Sequence, residues 1–269
     1  MATPDPWPEM VMPFLAEPAR AAVLCDFDGT LSSIVDEPDD ARPVPGAVEM
    51  LHRLAAVYGL VAVVSGRPAG FLVDHLAADG STPLQAIGGY GLERAVAGEV
   101  EYHPEAERWR PVVAAVTARA REHAPAGVLI EDKTVSLTIH LRTAPEHRGW
   151  AQAFVAAEAA ATGLAIHEAR MSYELRPSVP VDKGTTVAGL IGDLGPACFF
   201  GDDRGDLAAF DALDRHRAET GAPVLKIAVR SEEAPPELLA RADVLLDSPV
   251  DVVISLDALA AARRAPGDV

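Results

Sequence analysis

The sequence predicts an α/β protein with a doubly wound, Rossmann-like parallel-sheet core and a smaller inserted α+β domain. Near the start of the chain, short apolar runs that suit buried strands alternate with segments in which apolar residues recur at helical spacing. The same alternation resumes towards the end of the chain. Between these stretches the order becomes helix, strand, strand, helix, strand, strand, which does not continue a parallel sheet and therefore indicates an insertion.

The first part of the core is predicted to span residues 1–103. Its strands are unbroken apolar runs, which is typical of parallel strands buried on both faces. The strands are Ala21–Cys25, Leu60–Val64 and Leu84–Ile87, and the helices are Pro45–Tyr58 and about Ala69–Ala78. Gly88-Gly89-Tyr90-Gly91 then predicts a turn.

The insertion is predicted to span residues 104–177. Apolar and polar residues alternate in its strands, which favours a sheet with one face covered by helices. The helices are Glu105–His123 and Glu146–Thr162, and the strands are Val128–Glu131, Thr134–Leu141, Leu164–Glu168 and Ser172–Leu175.

The second part of the core, residues 178–269, is predicted to return to alternating helices and strands. The helices are Lys183–Ile191, Leu207–Leu213 and one within Pro249–Ala262, and the strands are Ala197–Phe200, Val224–Val229 and Val244–Leu246. Cys25 and Cys198 lie inside apolar runs, so we expect them to pack as small hydrophobic residues rather than to form a disulfide or bind a metal.

The charge of the chain limits its partners. Its 269 residues carry a formal net charge of −17, and such an acidic surface repels nucleic acid and anionic membranes. We find neither a signal peptide nor an apolar run long enough to span a membrane, and we expect a cytoplasmic monomer or weak homo-oligomer. A small phosphorylated partner would need local cations, either a metal or a few placed Lys and Arg side chains.

Two clusters of acidic residues each follow a predicted buried strand. Asp26-Phe27-Asp28-Gly29-Thr30-Leu31 follows one, and Gly201-Asp202-Asp203-Arg204-Gly205-Asp206 follows another. Ligands of open α/β sheets bind beyond the carboxyl ends of the strands, and crowded carboxylates are suited to Mg²⁺. Each cluster alone is also compatible with an ordinary capped turn. Because neighbouring strands can bring both to one edge, the sequence favours a shared magnesium site.

Two further segments are candidates for binding phosphate. Ser65-Gly66-Arg67 follows the strand Leu60–Val64 and precedes a helix, so its hydroxyl and N–H groups could bind an anion. Ser65 could equally be a plain helix cap. Lys183 follows Asp182 at a predicted helix start, where the helix dipole disfavours a cation unless a phosphate or carboxylate is close.

Four motifs of the chain resemble, in their order, those of the haloacid dehalogenase superfamily of phosphohydrolases: DFDGTL, a strand-terminal Ser, a Lys and GDD. The insertion resembles the C2 type of cap in that superfamily. The resemblance implies that Asp26 is the nucleophile, that Asp28 is the proton donor and acceptor, and that Ser65, Gly66 and Lys183 bind phosphate. It further implies that Asp26, Asp28 and Asp202 bind Mg²⁺, the second through its carbonyl, while Asp203 and Asp206 orient them.

A narrower resemblance is to the trehalose-6-phosphate phosphatases. It is carried by VVSGRP, IEDKTVSLTIHLR, ELRPSVPVDKG and GDDRGD, and it implies that Glu131, Lys133 and Glu174 hold the sugar. The chain departs from that family at Tyr90, where a His is frequent, and at Gly205, where a Thr is frequent.

Some candidate residues keep two interpretations. Arg67, Arg142 and Arg176 are possible contacts of a sugar phosphate, but each could be a structural ion pair, and we keep Arg67 among the substrate-binding candidates. His103, His140 and His167 show no metal-ligand spacing, so we do not assign them to the site.

The sequence thus predicts a magnesium-dependent phosphohydrolase of sugar phosphates that works through an aspartyl phosphate. Trehalose 6-phosphate is the first candidate substrate, and sucrose phosphate, glucosylglycerol phosphate and mannosyl-phosphoglycerate are alternatives. A phospho-acceptor signalling domain would also combine acids, a hydroxyl residue and a lysine, but it needs about half this length and no insertion. A catalytically inactive binding protein is disfavoured because every core motif residue is present.

Overall fold

The computed structural model describes residues 7–96, 98–169, 171–231 and 234–261, and it confirms the predicted α/β class. Before the insertion come α1 (Trp7–Ala16), β1 (Ala22–Cys25), α2 (Ala47–Ala55), β2 (Leu60–Val64), α3 (Ala69–Leu76), β3 (Gln85–Gly88), β4 (Glu93–Val96) and β5 (Glu99–Tyr102). The middle contains α4 (Pro104–His123), β6 (Leu129–Asp132), β7 (Leu137–His140), α5 (Arg148–Thr162), β8 (Ala165–Ala169) and β9 (Ser172–Arg176). The remainder contains α6 (Lys183–Ile191), β10 (Ala197–Gly201), α7 (Asp206–Thr220), β11 (Val224–Val229), α8 (Pro236–Arg241), β12 (Val244–Leu246) and α9 (Pro249–Ala260). None of the helices in the described ranges is both long enough and apolar enough to cross a membrane.

The larger sheet has the strand order β12-β11-β10-β1-β2-β3-β4-β5. Its strands are parallel from β12 to β3, and β4 and β5 extend it as an antiparallel hairpin. Alternate residues of β1 enter different hydrophobic cores, with Val23 and Cys25 on one face and Ala22 and Leu24 on the other. Helices therefore cover both faces, which explains why the strands are unbroken apolar runs.

The register of the central strands brings several predicted site residues to one edge. Cys25 of β1 lies beside Val63 of β2 and Phe200 of β10. The chain segments that begin at Asp26, Ser65 and Asp202 therefore all leave the sheet at the carboxyl ends of neighbouring parallel strands.

The smaller sheet is antiparallel, with the order β6-β7-β9-β8. Residues of α4 and α5, such as Val116 and Val155, form with Leu137 and Leu175 a hydrophobic core separate from the two cores of the larger sheet. This supports the division at residues 1–103, 104–177 and 178–269, which we retain as a proposal. Residues 1–6 and 262–269 of that division lie outside the described residues.

Some elements differ from the prediction. Helices α1 and α8 and the hairpin β4–β5 were not predicted, and the strand predicted to begin at Thr134 begins at Leu137. Thr134 has a left-handed φ of 67°, and its N–H donates to the Asp132 carboxylate at 2.9 Å. The chain therefore turns tightly after β6 and straightens into β7 three residues later than predicted.

Helix α3, which follows the predicted phosphate segment, is capped by a distant carboxylate. Glu93, only 2% exposed, accepts the N–H of Ala69 through Oε2, while its Oε1 has no hydrogen-bond partner within the described residues. Burial raises the pKa of Glu93 to about 7. A carboxyl group here therefore changes its protonation near neutral pH and fixes the start of α3.

We expect the Glu93 carboxyl to make folding stability depend on pH. Its folded-state pKa, about 7, lies above the ordinary value of 4.5, so the folded chain keeps a proton that the unfolded chain releases between these values. Stability is then lost as the pH rises through this window. Urea unfolding should show Glu93→Gln gaining about 2 to 3 kcal/mol relative to the parent protein between pH 4.5 and 7.5. Exposed Glu49→Gln is the control, and a constant difference for Glu93→Gln would contradict the expectation.

Candidate active site

A cavity of about 210 Å³ lies between the larger sheet and the smaller sheet. Residues that follow β1 and β2 form part of its wall, namely Asp26, Asp28, Ser65, Gly66 and Arg67. The last part of the chain adds Lys183, Asp202 and Asp203, and the smaller sheet adds Glu131 and Lys133. Predicted site residues from all three parts of the chain thus face one cavity.

The Lys183 ammonium lies at the centre of the acidic cluster. Its Nζ is 2.8 Å from Asp26 Oδ2, 2.7 Å from Asp206 Oδ1 and 3.7 Å from Asp203 Oδ1, and the side chain is 2% exposed. Lys183 begins α6, whose preceding residue Asp182 forms a capping box with Thr185. The carboxylates offset the unfavourable helix dipole at this position.

Asp206 organises the loop rather than facing the cavity. It is fully buried, and its Oδ2 accepts the N–H groups of Asp202 at 2.8 Å and Asp203 at 2.9 Å. A Cβ on Gly201 would lie 2.4 Å from the Asp206 carboxyl carbon, so a glycine is required there. This geometry is consistent with the orienting role that the resemblance implies for Asp206.

Asp202 is a buried carboxylate with weak partners. It accepts from the hydroxyls of Thr30 at 3.3 Å and Ser231 at 3.4 Å, and its Oδ2 would lie 2.0 Å from a Cβ on Gly29. Burial first, and then the neighbouring charges led by Asp26, raise its pKa well above the ordinary value. Burial likewise raises the pKa of Asp26 to about 6, although Lys183 opposes the shift.

The cluster fits a hard divalent cation. Three carboxylates, of Asp26, Asp203 and Asp206, contact one ammonium, and the buried carboxylate of Asp202 lies beside them. A further positive charge at this point would therefore offset the burial and the mutual repulsion of these carboxylates. Oxygens of Asp26, Asp203 and Asp206 lie within 4.8 Å of one another. This trio shares Asp26 with the predicted ligands Asp26, Asp28 and Asp202, and its other members, Asp203 and Asp206, also contact Lys183.

Arg67 holds both carboxylate oxygens of Asp28. Its Nε and Nη2 donate to them at 2.8 and 2.7 Å, and its Nη1 donates to the Pro38 carbonyl at 2.8 Å and lies 3.5 Å from Glu131 Oε1. The sequence placed Arg67 against the substrate. In the structure Arg67 lines the cavity, forms a bidentate ion pair with the predicted proton donor and reaches Glu131 of the smaller sheet, so its contact with substrate stays a prediction.

The predicted phosphate segment is a loop rather than a first helical turn. Helix α3 begins at Ala69, after Pro68, and the Ser65 hydroxyl accepts the N–H of Arg67 at 3.2 Å. Ser65 is therefore not the cap of α3. Any anion here would be bound by the loop groups and Lys183 instead of by a helix end.

The three residues that the resemblance assigns to the sugar lie together. Lys133 Nζ is 3.8 Å from Glu131 Oε2 and 3.8 Å from Glu174 Oε1. Although burial opposes the shift, Lys133 and then His140 and Arg67 lower the pKa of Glu131 to about 2. Glu131 is therefore ionised near neutral pH and can accept hydrogen bonds from hydroxyl groups.

Two residues at this site were missed or undervalued from sequence. His140 Nε2 lies 2.7 Å from Glu131 Oε2 and lines the cavity. Glu131 pairs with Thr138, so His140 is the diagonal neighbour of Glu131 on the same face of the hairpin. The pairing of these strands could have predicted the contact, whereas a search for metal-ligand spacing could not. Tyr90, noted only as a departure, lines the cavity beside Gly66.

The other two candidate arginines have structural partners. The Arg142 Nε lies 3.6 Å from Asp36 Oδ1. The Arg176 guanidinium stacks over the Tyr90 ring, 4.7 Å from its centroid.

Comparison with known proteins gives one family. The family model described as trehalose-phosphatase matches residues 24–240. The trehalose-phosphate phosphatase of Mycolicibacterium paratuberculosis is 39% identical over 216 residues, which cover 76% of this chain and 54% of that protein. The protein of the same name from Mycobacterium leprae is 34% identical over 222 residues, which cover 77% of this chain and 50% of that protein. The chain spans about half the length of these curated relatives.

Solved structures share the fold. A trehalose-6-phosphate phosphatase related protein has a TM-score of 0.75 and 22% identity, covering 89% of this chain and 96% of that one. The C-terminal domain of the C. albicans trehalose-6-phosphate phosphatase gives 0.72 and 22%, covering 95% and 96%. A haloacid dehalogenase-like hydrolase from Bacteroides thetaiotaomicron gives 0.58 and 13%, covering 88% and 98%.

Proposed function

Because the chain belongs to the trehalose-phosphatase family, we propose that it is a magnesium-dependent phosphatase that releases phosphate from trehalose 6-phosphate. The observation that carries this proposal is the arrangement around Asp26. Its carboxylate lies 2.8 Å from a buried ammonium, inside a cluster of acids, and faces a cavity that Glu131 and Lys133 also line. A nucleophile, a charge-compensating cluster and groups suited to sugar hydroxyls thus meet in one place.

We propose that Asp26, the Asp28 carbonyl and Asp202 hold Mg²⁺, with Asp203 and Asp206 orienting them. The raised pKa of Asp202 and its long hydrogen bonds support this choice, since no ion pair to this buried carboxylate is found among the residues that the structure describes. When bound, the cation would screen the negative phosphate from the negative nucleophile.

In the first step, Asp26 attacks phosphorus, forming an aspartyl phosphate while the bond to the sugar oxygen breaks. A sugar alkoxide is a poor leaving group near neutral pH, so Asp28 donates a proton to it. In the second step, Asp28 takes a proton from water, and the resulting hydroxide oxygen attacks the phosphorus and frees Asp26. Ser65, the Gly66 N–H group and Lys183 hold the phosphoryl oxygens.

Asp28 must first be released by Arg67. Both of its oxygens accept from Arg67, so Asp28 is a carboxylate without a proton until at least one of these bonds opens. Once released, Asp28 takes up a proton from solvent, and this is the proton that it donates to the leaving group. Glu131, 3.5 Å from Arg67 Nη1, is the carboxylate towards which the guanidinium can turn. Substrate binding between the two sheets would thereby make the proton donor available.

The sugar would be bound by the smaller sheet. Glu131 lines the cavity and offers carboxylate oxygens, and Lys133, 3.8 Å from the carboxylates of Glu131 and Glu174, offers N–H donors. Glu174 itself is not among the residues that line the cavity. Such a constellation suits vicinal hydroxyl groups. Closure of the smaller sheet over the larger one would exclude water from the reacting centre.

We expect purified protein with Mg²⁺ to release inorganic phosphate from trehalose 6-phosphate. A substrate panel should include sucrose phosphate, glucosylglycerol phosphate and mannosyl-phosphoglycerate. Removing the metal with EDTA should lower the rate at least about a hundredfold, because the nucleophile and the phosphate then repel each other unscreened, and added Mg²⁺ should restore it.

Ca²⁺ added after EDTA is the matched control for ionic strength and charge. Turnover that is unchanged after EDTA treatment would contradict the metal assignment. Release from another member of the panel, but none from trehalose 6-phosphate, would contradict the substrate while leaving the mechanism intact.

A further inference from the structure

Tyr90 has a backbone conformation that is unusual for an aromatic residue. Its φ of 61° and ψ of 16° are left-handed, where bulky side chains are rarely found. Its N–H donates to the Ser65 carbonyl at 2.9 Å, and its own carbonyl accepts from the Thr186 hydroxyl at 2.8 Å. The residue is therefore fixed between the predicted phosphate loop and helix α6, which carries Lys183.

The phenol ring covers the phosphate loop. A Cβ on Gly66 would lie 2.5 Å from the Tyr90 hydroxyl oxygen, so this glycine leaves room for the ring. Tyr90 lines the cavity, whereas Arg176 stacks on its ring with 4.7 Å between the guanidinium carbon and the ring centroid.

The hydroxyl of Tyr90 connects the larger sheet to a carboxylate of the smaller one. It donates to Glu174 Oε2 at 3.1 Å, and Glu174 Oε1 accepts from Ser136 at 2.7 Å and lies 3.8 Å from Lys133. Glu174 is only 7% exposed. Its oxygens are thus occupied, and Tyr90 stands between it and the phosphate loop.

The Tyr90 hydroxyl donates one hydrogen bond and can still accept another. Burial, and then the negative charge of Glu174, raise the pKa of Tyr90 well above its usual value, so the hydroxyl keeps its proton. While that proton is given to Glu174, the lone pairs of the phenol oxygen can accept a hydrogen bond from a ligand hydroxyl.

We propose that Tyr90 is a specificity-determining residue through which Glu174 acts on the sugar. Its backbone is tied to the phosphate loop and its hydroxyl to the cap carboxylate, so it sets the distance between bound phosphate and the sugar hydroxyl that is recognised. This inference rests on the proposed function and adds a residue that contacts the sugar part of the substrate. Phosphate esters without hydroxyl groups do not use it.

The test compares Tyr90→Phe, which keeps the ring and removes the hydroxyl, with the parent protein. With whichever sugar phosphates the parent hydrolyses, KM should rise about tenfold while kcat changes less than about twofold, because one hydrogen bond in a charged network is lost. With p-nitrophenyl phosphate, kcat/KM should stay unchanged. In a Glu174→Leu background, which has no acceptor for the Tyr90 hydroxyl, Tyr90→Phe should have no further effect on KM, since both changes break the same hydrogen bond.

Tyr58→Phe is the matched control, because it removes a tyrosine hydroxyl that donates to the Leu259 carbonyl in the core, outside the cavity wall. Tyr58→Phe should leave the kinetic constants for both substrates unchanged. An equal loss for both substrates in Tyr90→Phe, an unchanged KM, or additive effects with Glu174→Leu would each overturn the inference. If the parent releases phosphate from no sugar phosphate, the proposed function fails, and this inference fails with it. If the parent hydrolyses a sugar phosphate but the variants do not show the expected changes, only the role of Tyr90 is overturned.

Discussion

Asp26→Asn should lower phosphate release by more than about a thousandfold, because an amide cannot form the aspartyl phosphate. The substitution is nearly isosteric, and the residue sits at the end of β1, whose backbone contacts are unaffected. Phosphate release with Mg²⁺ measures the effect. Calorimetric titration with trehalose 6-phosphate should still detect binding, since Glu131 and Lys133 remain in place.

Asp193→Asn is the control for Asp26→Asn. Asp193 is an exposed aspartate outside the cavity wall, so its replacement should not change the rate. If Asp26→Asn kept more than about a tenth of the parent rate, Asp26 would not be the nucleophile.

Lys183→Met should destabilise the metal-free protein by about 3 to 5 kcal/mol and also abolish turnover. The substitution leaves the buried carboxylates of Asp26 and Asp206 without the ammonium that now lies 2.8 and 2.7 Å from them. In the folded variant these carboxylates would hold protons more tightly, so the loss of stability should grow as the pH rises. Urea unfolding in EDTA at pH 5.5 and pH 8 measures both effects.

Lys226→Met is the matched control for Lys183→Met. Lys226 is also buried, but its partner Asp214, 2.9 Å away, is one-third exposed, with 34% of its side chain accessible. Its replacement should cost only about 1 kcal/mol and should leave the rate unchanged. Equal losses for the two variants would contradict the special role of the acidic cluster around Lys183.

The sequence predicted the fold class and the meeting of strand ends because both depend on local patterns. Unbroken apolar runs identify buried parallel strands, and acids that follow them identify the edge where ligands bind. Helix α1 was missed for a local reason too: it contains Pro8 and Pro13, and the latter removes a helical hydrogen bond. Its stability comes from burial of Val11 and Phe14, which only tertiary packing supplies.

The partners of individual side chains were less predictable. Arg67 follows Ser65 by two residues, yet its partner Asp28 lies 39 residues earlier, so no local spacing announces the ion pair. Glu93 caps a helix that begins 24 residues before it, and His140 meets Glu131 only because their strands pair. These contacts depend on which strands and loops the fold brings together, and short motifs do not encode that.

The position of β1 between β2 and β10 affects how the nascent chain folds during translation. Ala22 pairs with Leu60 on one side and with Ala197 on the other. One edge of β1 can therefore pair with β2 early in translation, whereas the other edge can pair with β10 only after most of the chain has been synthesised. Until β10 emerges from the ribosome, an apolar strand edge stays open to wrong pairing, and chaperones would act in that interval. A chain interrupted before β10 would carry Asp26 and Ser65 but could not be a working catalyst.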